Sequence, residues 1–221
     1  MAFRFRCPGK VPFSIAVRWW MKAKSEFFDI VDENDQVIGQ APRSQCHGDP
    51  SLVHRVAHVL LFNSRGELLL QKRSLNKDIQ PGRWDTSVGG HLDPGEDYRT
   101  AALREMAEEL GVGGIALTFL YHSKIRNEIE SENVATYLAR FDGSINYAAD
   151  EIDEVRFWTS VEIEGQLGSG LFTPNFEEEW GLFQEWCRRY PTRTDAPVGL
   201  CAGDSFPDLW QSLEKEGLLK K

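Results

Sequence analysis

Taken as a string of apolar and polar positions, the chain begins its regular pattern at Glu26–Val31 (EFFDIV) and Val37–Ala41, which flank the polar run Asp32–Gln36. That arrangement predicts a hairpin. Residues Ser44–Ser51 are polar, with Gly48 and Pro50, and read as a loop. The strongest strand signal comes next: Val56–Phe62 is almost continuously apolar, Asn63–Gly66 is a turn, and Glu67–Gln71 returns. Continuity rather than alternation means that side chains on both faces are covered, so these strands belong to a sheet held between helices. A loop from Ser74 to Arg83 carries Pro81-Gly82, and a short strand Trp84–Val88 is expected to end at Gly89-Gly90.

The period changes at Asp97–Leu110. Leu103, Met106, Ala107 and Leu110 recur at i, i+3, i+4 and i+7, which predicts a helix with one apolar stripe, and Gly111 stands where a C-cap glycine belongs. Strand-like segments follow at Ile115–Tyr121, Asn133–Phe141 and Glu154–Thr159. Asn175–Arg189 predicts an amphipathic helix built on Phe176, Trp180, Phe183 and Trp186. Pro191–Asp208 is rich in Pro, Gly and Asp and reads as loop, with a short helix at Leu209–Leu219. The sum is an α/β domain over residues 26–190 with a mixed sheet between helices, preceded by a flexible basic arm (1–25) and followed by a C-terminal extension (191–221).

Composition narrows the class. The 221 residues carry a formal charge of -9, with 41% hydrophobic and 27% charged residues, too apolar for a disordered chain. No apolar run reaches the ~18–20 residues that cross a bilayer, so no membrane span is expected. The acidic balance argues against a stable nucleic-acid partner. The four cysteines form no CxxC pair, which suits reduced thiols, and Val11–Val17, interrupted by Pro12 and Ser14, is a poor signal-peptide core. The expected compartment is therefore the cytoplasm.

The candidate chemistry lies in residues 90–112, GHLDPGEDYRTAALREMAEELGV. Glu105, Glu108 and Glu109 stand at i, i+3 and i+4, so a helix puts them on one side, opposite the expected apolar stripe. A divalent cation relieves the repulsion of such a set, and hard oxygen ligands favour Mg²⁺ or Mn²⁺. Gly90 can present its backbone carbonyl at the strand end, Glu96 lies at the helix entrance, and Arg104 can clamp a carboxylate in bidentate fashion. The six acids and two bases of this stretch also place part of the net charge where a metal ion would reverse its sign.

The order Gly90, five residues, Glu96, seven residues, Arg104-Glu105-apolar-x-Glu108-Glu109-x-Gly111-apolar resembles a complete Nudix box. The resemblance extends over about Glu26–Trp186 and implies an α/β/α sandwich that cleaves a diphosphate linked to another moiety, with Mg²⁺ or Mn²⁺. In that reading Glu105, Glu108, Glu109 and Gly90 hold the metal, and Glu108, Glu109 and Arg104 are the catalytic group. Either Glu108 or Glu109 deprotonates the attacking water, or the acidic run Asp150, Glu151, Asp153 and Glu154 supplies the base. Arg73, Lys77 and Arg83 precede the box and are candidates to contact the phosphates of a small phosphorylated substrate. Trp84, Phe172, Phe176 and Trp180 are candidates for a nucleoside platform.

Flanking residues resemble one branch of the family, the isopentenyl diphosphate isomerases: His47 to His54-Arg55, then Gln71-Lys72-Arg73, Lys77, Pro81-Gly82 and Trp84. By that resemblance His47, His54, His91, Glu130 and Glu132 fall where the isomerase holds a metal, a donor set suited to Mn²⁺ or Zn²⁺. The isomerase also has a catalytic cysteine beside its glycine–histidine step. Here Ser87-Val88-Gly89-Gly90-His91 puts Gly89 in its place. The expected activity is thus pyrophosphohydrolysis of a nucleoside di- or triphosphate, or of a nucleoside diphosphate derivative, by a monomer or homodimer. An isoprenoid diphosphate isomerase and a non-catalytic nucleotide-binding fold are the alternatives.

Overall fold

The structure is a computed structural model that describes residues 26–189 apart from Asp78; the expected basic arm and C-terminal extension lie outside the described residues. Strands β1 (Phe27–Val31) and β2 (Val37–Pro42) form the expected hairpin, antiparallel, with Phe28 opposite Ala41. Its turn closes because Asp32 Oδ1 accepts the N–H groups of Asn34 and Gln36, both at 2.9 Å. The polar stretch after it is not all loop, since Arg43–Cys46 makes one helical turn, α1.

The main sheet is built on β3 (Val53–Phe62), which runs parallel to β8 (Ser131–Arg140) along its whole length. β7 (Thr118–Arg126) pairs antiparallel with β8, and β9 (Ile152–Trp158) pairs antiparallel with β4 (Leu68–Arg73). Between β3 and β4 the sheet forks: they pair at Phe62–Leu68 and then part. The fork is filled by β5 (Trp84–Asp85), paired with β4, and β6 (Val88–His91), paired with β3. The strand expected at Trp84–Val88 is therefore broken at Thr86-Ser87 and resumes through both glycines. Ser87 Oγ serves both sides of the fork, accepting from Leu61 N at 2.9 Å and donating to the Leu69 carbonyl at 2.5 Å. A buried hydroxyl thus satisfies backbone groups that lose their ladder partners.

Helix α2 (Tyr98–Leu110) covers one face of the sheet, packing Ala101, Ala102, Met106 and Leu110 on Ala57, Val59 and Leu61 of β3. The other face carries Leu60, Phe62 and Leu138 under α4 (Pro174–Arg189), whose Phe176, Trp180 and Phe183 are buried. Both faces of β3 are covered, as its continuous apolar run requires. A short helix α3 (Ser160–Glu164) starts on a capping box in which Thr159 and Glu162 satisfy each other's backbone. Among the described residues no helix is long and apolar enough to cross a membrane.

The C-terminal end of α2 follows its sequence signal, and the first residue of the expected helix proves to be its N-cap. Asp97 caps it by accepting from Thr100 N at 2.9 Å. Gly111 takes the left-handed conformation (φ 66°), with its N–H on the Ala107 carbonyl and that of Val112 on Met106. A methyl group at Gly111 would also stand 2.9 Å from the Asn146 carbonyl oxygen. Gly111→Ala is therefore expected to cost about 2 kcal/mol, read as a lowered urea midpoint with unchanged slope; an unchanged midpoint would contradict the capping role.

Candidate functional site

α2 does not present its glutamates to solvent opposite the apolar stripe. Glu109 lies buried beside Met106 and Leu110, Glu105 is partly buried, and Glu108 alone of the three is largely exposed. Leu103, by contrast, is only half-buried and Ala107 is exposed, because Ala101 and Ala102 provide the packing surface. Small alanines let the helix approach the sheet closely, and that approach turns Glu105 and Glu109 inward.

Gly90 is what lets Glu105 lie where it does. A Cβ on Gly90 would stand 2.1 Å from both Cγ and Cδ of Glu105, so the carboxylate rests against bare strand backbone. Arg104 fixes the outer side of the site. It grips Glu96 through Nε (3.1 Å) and Nη2 (2.8 Å), donates from Nη1 to Glu105 at 2.7 Å and reaches Glu108 at 3.5 Å. The same Nη2 donates to the backbone carbonyl of His91 at 2.9 Å, tying helix to strand.

Deeper in, Gln71 Nε2 donates to Glu109 Oε2 at 3.0 Å. Burial, with the neighbouring charges of Glu105 and Glu151, pushes the Glu109 carboxyl up to about 8, against the pull of Lys77 and Gln71. Burial raises Glu105 too, although Arg104 opposes it. Of the acidic run after Tyr147, Glu151 faces this pair, whereas Asp153 and Glu154 lie within β9.

The candidate substrate cations all have protein partners. Arg73 Nη1 is 2.9 Å from Asp85, Lys77 Nζ is 2.8 Å from Glu151, and Arg83 Nη1 donates to the Phe172 carbonyl at 3.2 Å. The aromatic platform considered from sequence does not form: Trp84, Phe172, Phe176 and Trp180 are core residues. Apolar rings on the inner face of a helix and under a sheet are packed before they can be offered to a ligand.

On the opposite face of β6 a second group converges. One residue along a strand reverses the side-chain direction, so Gly90 faces α2 while His91 faces away from it. Ligand atoms of His47, His54, His91 and Glu132 all lie within 4.8 Å of one another, the group of this kind found among the described residues. His91 Nε2 is 3.3 Å and His54 Nε2 is 3.4 Å from Glu132 Oε1, and His47 Nε2 is 3.3 Å from His91 Nε2. Glu130 joins the rim, 3.9 Å from His47. Two nitrogen or oxygen donors on one ion, each at ~2.1 Å, stand about 3.0–3.4 Å apart, so these spacings fit a transition metal.

The surroundings of this group suit the same purpose. His54 Nδ1 lies 3.2 Å from the Leu52 carbonyl, which leaves Nε2, buried and without a hydrogen-bond partner, turned to the centre. Burial holds His91 down at about 3, neutral at pH 7, while burial and the adjacent imidazoles of His91 and His54 act on Glu132 in opposite senses and the imidazoles win, keeping it ionised. Burial and the charge of Glu132 raise Glu130 to about 7. Phe28 of the hairpin stacks on His91 (centroids 4.3 Å apart, 9°) and on His54 (5.0 Å, 15°), and Arg43 Nη1 stands 3.3 Å from His91 Nδ1. Phe28 and Ser87 had no functional signal of their own in the sequence, and Gln71 had one only as part of the isomerase-like run Gln71-Lys72-Arg73. Their roles depend on which strands become neighbours.

The sequence pattern of the NUDIX domain matches residues 52–176, more than half of the chain. The chain belongs to this family. An uncharacterized Nudix hydrolase of Streptomyces coelicolor is 33% identical over 171 residues, covering 75% of this chain and 92% of its own. A protein of Streptomyces avermitilis named isopentenyl-diphosphate Delta-isomerase is 34% identical over 160 residues, 70% of this chain and 81% of its own, in line with the isomerase-like features of the sequence. Among solved structures, DR0079 from Deinococcus radiodurans superposes with a TM-score of 0.61 at 27% identity, over 75% of this chain and all of that one. The mixed α/β fold around a central mixed sheet is thus shared with a protein of known structure.

Proposed function

We propose that this chain is a metal-dependent Nudix pyrophosphohydrolase that cleaves the diphosphate bond of a nucleoside di- or triphosphate, or of a nucleoside diphosphate derivative. The observation that carries the reading is the inward-turned pair Glu105 and Glu109, seated at Gly90 with Glu151 facing it. Gathering carboxylates under partial burial is unfavourable for folding alone, and a hard divalent cation relieves it. Glu105, Glu108, Glu109 and the Gly90 carbonyl are the donors that would hold Mg²⁺, or Mn²⁺. When bound, the cation neutralises diphosphate oxygens and lowers the pKa of water.

The rest is work for the protein's own groups. Arg104 keeps Glu105 and Glu96 in fixed orientation. Glu109, with its carboxyl near neutrality, is placed to take a proton from the attacking water, and Gln71 holds the oxygen opposite. In this reading Lys77 exchanges Glu151 for a substrate phosphate, and Arg73 and Arg83 would have to leave Asp85 and the Phe172 carbonyl to do the same.

The isomerase reading is favoured by the flanking sequence, by the named isomerase relative and by the His/Glu group, whose spacing suits Mn²⁺ or Zn²⁺. Against it, Gly89 offers no thiol, and the free cysteines among the described residues, Cys46 and Cys187, are buried. The deciding experiment is a substrate panel with and without Mg²⁺: nucleoside di- and triphosphates, nucleotide sugars, dinucleotides and isopentenyl diphosphate. The expected result is Mg²⁺-dependent release of phosphate or nucleoside monophosphate. Formation of dimethylallyl diphosphate would favour the isomerase, and binding without turnover the non-catalytic fold.

A further inference from the structure

On the α4 side of the sheet, one ion pair stands outside both groups described above. His58 of β3 places Nδ1 3.0 Å from Glu179 Oε1, and Thr136 Oγ1 donates to that same oxygen at 3.0 Å. Glu179 interrupts the apolar stripe of α4 between Phe176 and Trp180, and it is buried. A buried pair of this kind is a weak source of net stability, because desolvation offsets most of the attraction. What it does supply is orientation: with Nδ1 engaged, the other edge of the imidazole has one direction left.

That edge faces Gly89. A Cβ on Gly89 would lie 3.4 Å from both Cδ2 and Nε2 of His58, and 3.5 Å from the methyl of Thr86. Gly89 itself is exposed, although Val88 and Gly90 on either side of it are buried. The missing side chain thus leaves a small opening floored by strand backbone and walled by the imidazole and Thr86. His58 is 12% exposed through this opening, and no acceptor among the described residues takes a hydrogen bond from Nε2. His91 of the His/Glu group stands two residues along β6 on the same face, about 7 Å away at the rise of a strand.

We propose that the opening over Gly89 is a phosphate subsite, in which His58 donates its Nε2–H to an anionic oxygen of the ligand's diphosphate while Glu179 is the positioning residue behind it. The choice of a phosphorylated ligand rests on the hydrolase reading above; the geometry of the donor does not. Burial works against the imidazolium, but Glu179, Glu132 and Asp85 outweigh it and hold His58 at about 9, so that Nε2 carries a proton while Nδ1 is engaged by Glu179. A charged donor in a partly dehydrated recess binds an oxyanion more strongly than a neutral one.

The test is side-chain NMR of the full chain with ¹⁵N-labelled histidine, titrated with inorganic diphosphate in Mg²⁺. The His58 Nε2 signal is expected to move to saturation with diphosphate and not with Mg²⁺ alone. Gly89→Ala, which fills the opening without removing the ion pair, should weaken diphosphate binding about ten-fold at an unchanged melting temperature. Glu179→Gln should weaken it as well. An unmoved His58 signal at saturating diphosphate, or equal affinity in Gly89→Ala, would overturn the subsite, even if nucleotide hydrolysis is established. Conversely, a responding His58 in a chain that hydrolyses none of the panel would leave the subsite standing and remove the hydrolase reading.

Discussion

Replacing Glu109 by Gln is expected to lower turnover on the order of 10³-fold while the fold survives, the range spanned by loss of a general base or a metal ligand. Glutamine matches the volume and still accepts the hydrogen bond from Gln71, so what disappears is the charge and the proton-accepting oxygen. Glu108→Gln should reduce turnover by a smaller factor, because Glu108 is largely exposed and touches Arg104 only at 3.5 Å. Full activity in both variants would sink the assignment of the box.

The same substitution has a second, opposite signature. Burial holds the Glu109 carboxyl at about 8 in the folded chain, against about 4.5 for a glutamate in water. Between those values the folded state holds a proton that the unfolded state has lost, so metal-free stability falls as pH rises through that window. Glu109→Gln removes this contribution. Metal-free Glu109→Gln is therefore expected to be more stable than the wild type at pH 8, by on the order of a few kcal/mol, and to differ little from it near pH 4.5. Calorimetry at the two pH values checks the sign. A residue kept at the expense of stability is what a functional carboxylate looks like.

The second large effect concerns the His/Glu group. The wild type is expected to bind one Mn²⁺ or Zn²⁺ there, and the double variant His54→Ala/Glu132→Gln to lose at least 10²-fold in affinity, measured by calorimetric titration. Glu132 Oε1 lies within 3.4 Å of two imidazoles, so its loss removes the shared anionic donor, and His54 is the ring whose lone pair is already turned inward. At a thousand-fold excess over its dissociation constant the ion would add about 4 kcal/mol to folding stability, so a chelator should lower the wild-type melting temperature and not that of the variant. Equal metal affinity in the two proteins would show that the histidines are packing residues.

Much of this was legible along the chain. The helix up to Leu110, with Gly111 after it, follows from periodicity and from a residue that tolerates positive φ, whereas the capping role of Asp97 emerges only in the structure. The hairpin, β3 and α4 follow from periodicity. The break at Thr86-Ser87 does not, because it answers to the fork between β3 and β4, two strands that are neighbours in sequence but diverge in space. The face assigned to the α2 glutamates was misjudged for a related reason. The periodicity of Leu103, Met106, Ala107 and Leu110 puts the glutamates opposite the apolar stripe, but the sheet approaches on the side of Ala101 and Ala102 and encloses Glu105 and Glu109. The phosphate-facing role sketched for Arg73, Lys77 and Arg83 met partners in Asp85, Glu151 and the Phe172 carbonyl that no spacing rule could have named.

His58 and Glu179 had a signal that only partner knowledge makes readable. His54 and His58 are four apart on a strand and so share a face, and Glu179 is an acid inside an apolar stripe; 121 positions separate the members of the pair. What the sequence determined by itself was everything set by neighbours within a turn or a strand: element identity, helix ends, the order of the box and hence the family. Tertiary structure alone decided which groups are desolvated and which meet across elements. Proton affinities and metal-donor distances depend on those two conditions, since both are set by atoms a few ångströms away in space rather than a few residues away in the chain.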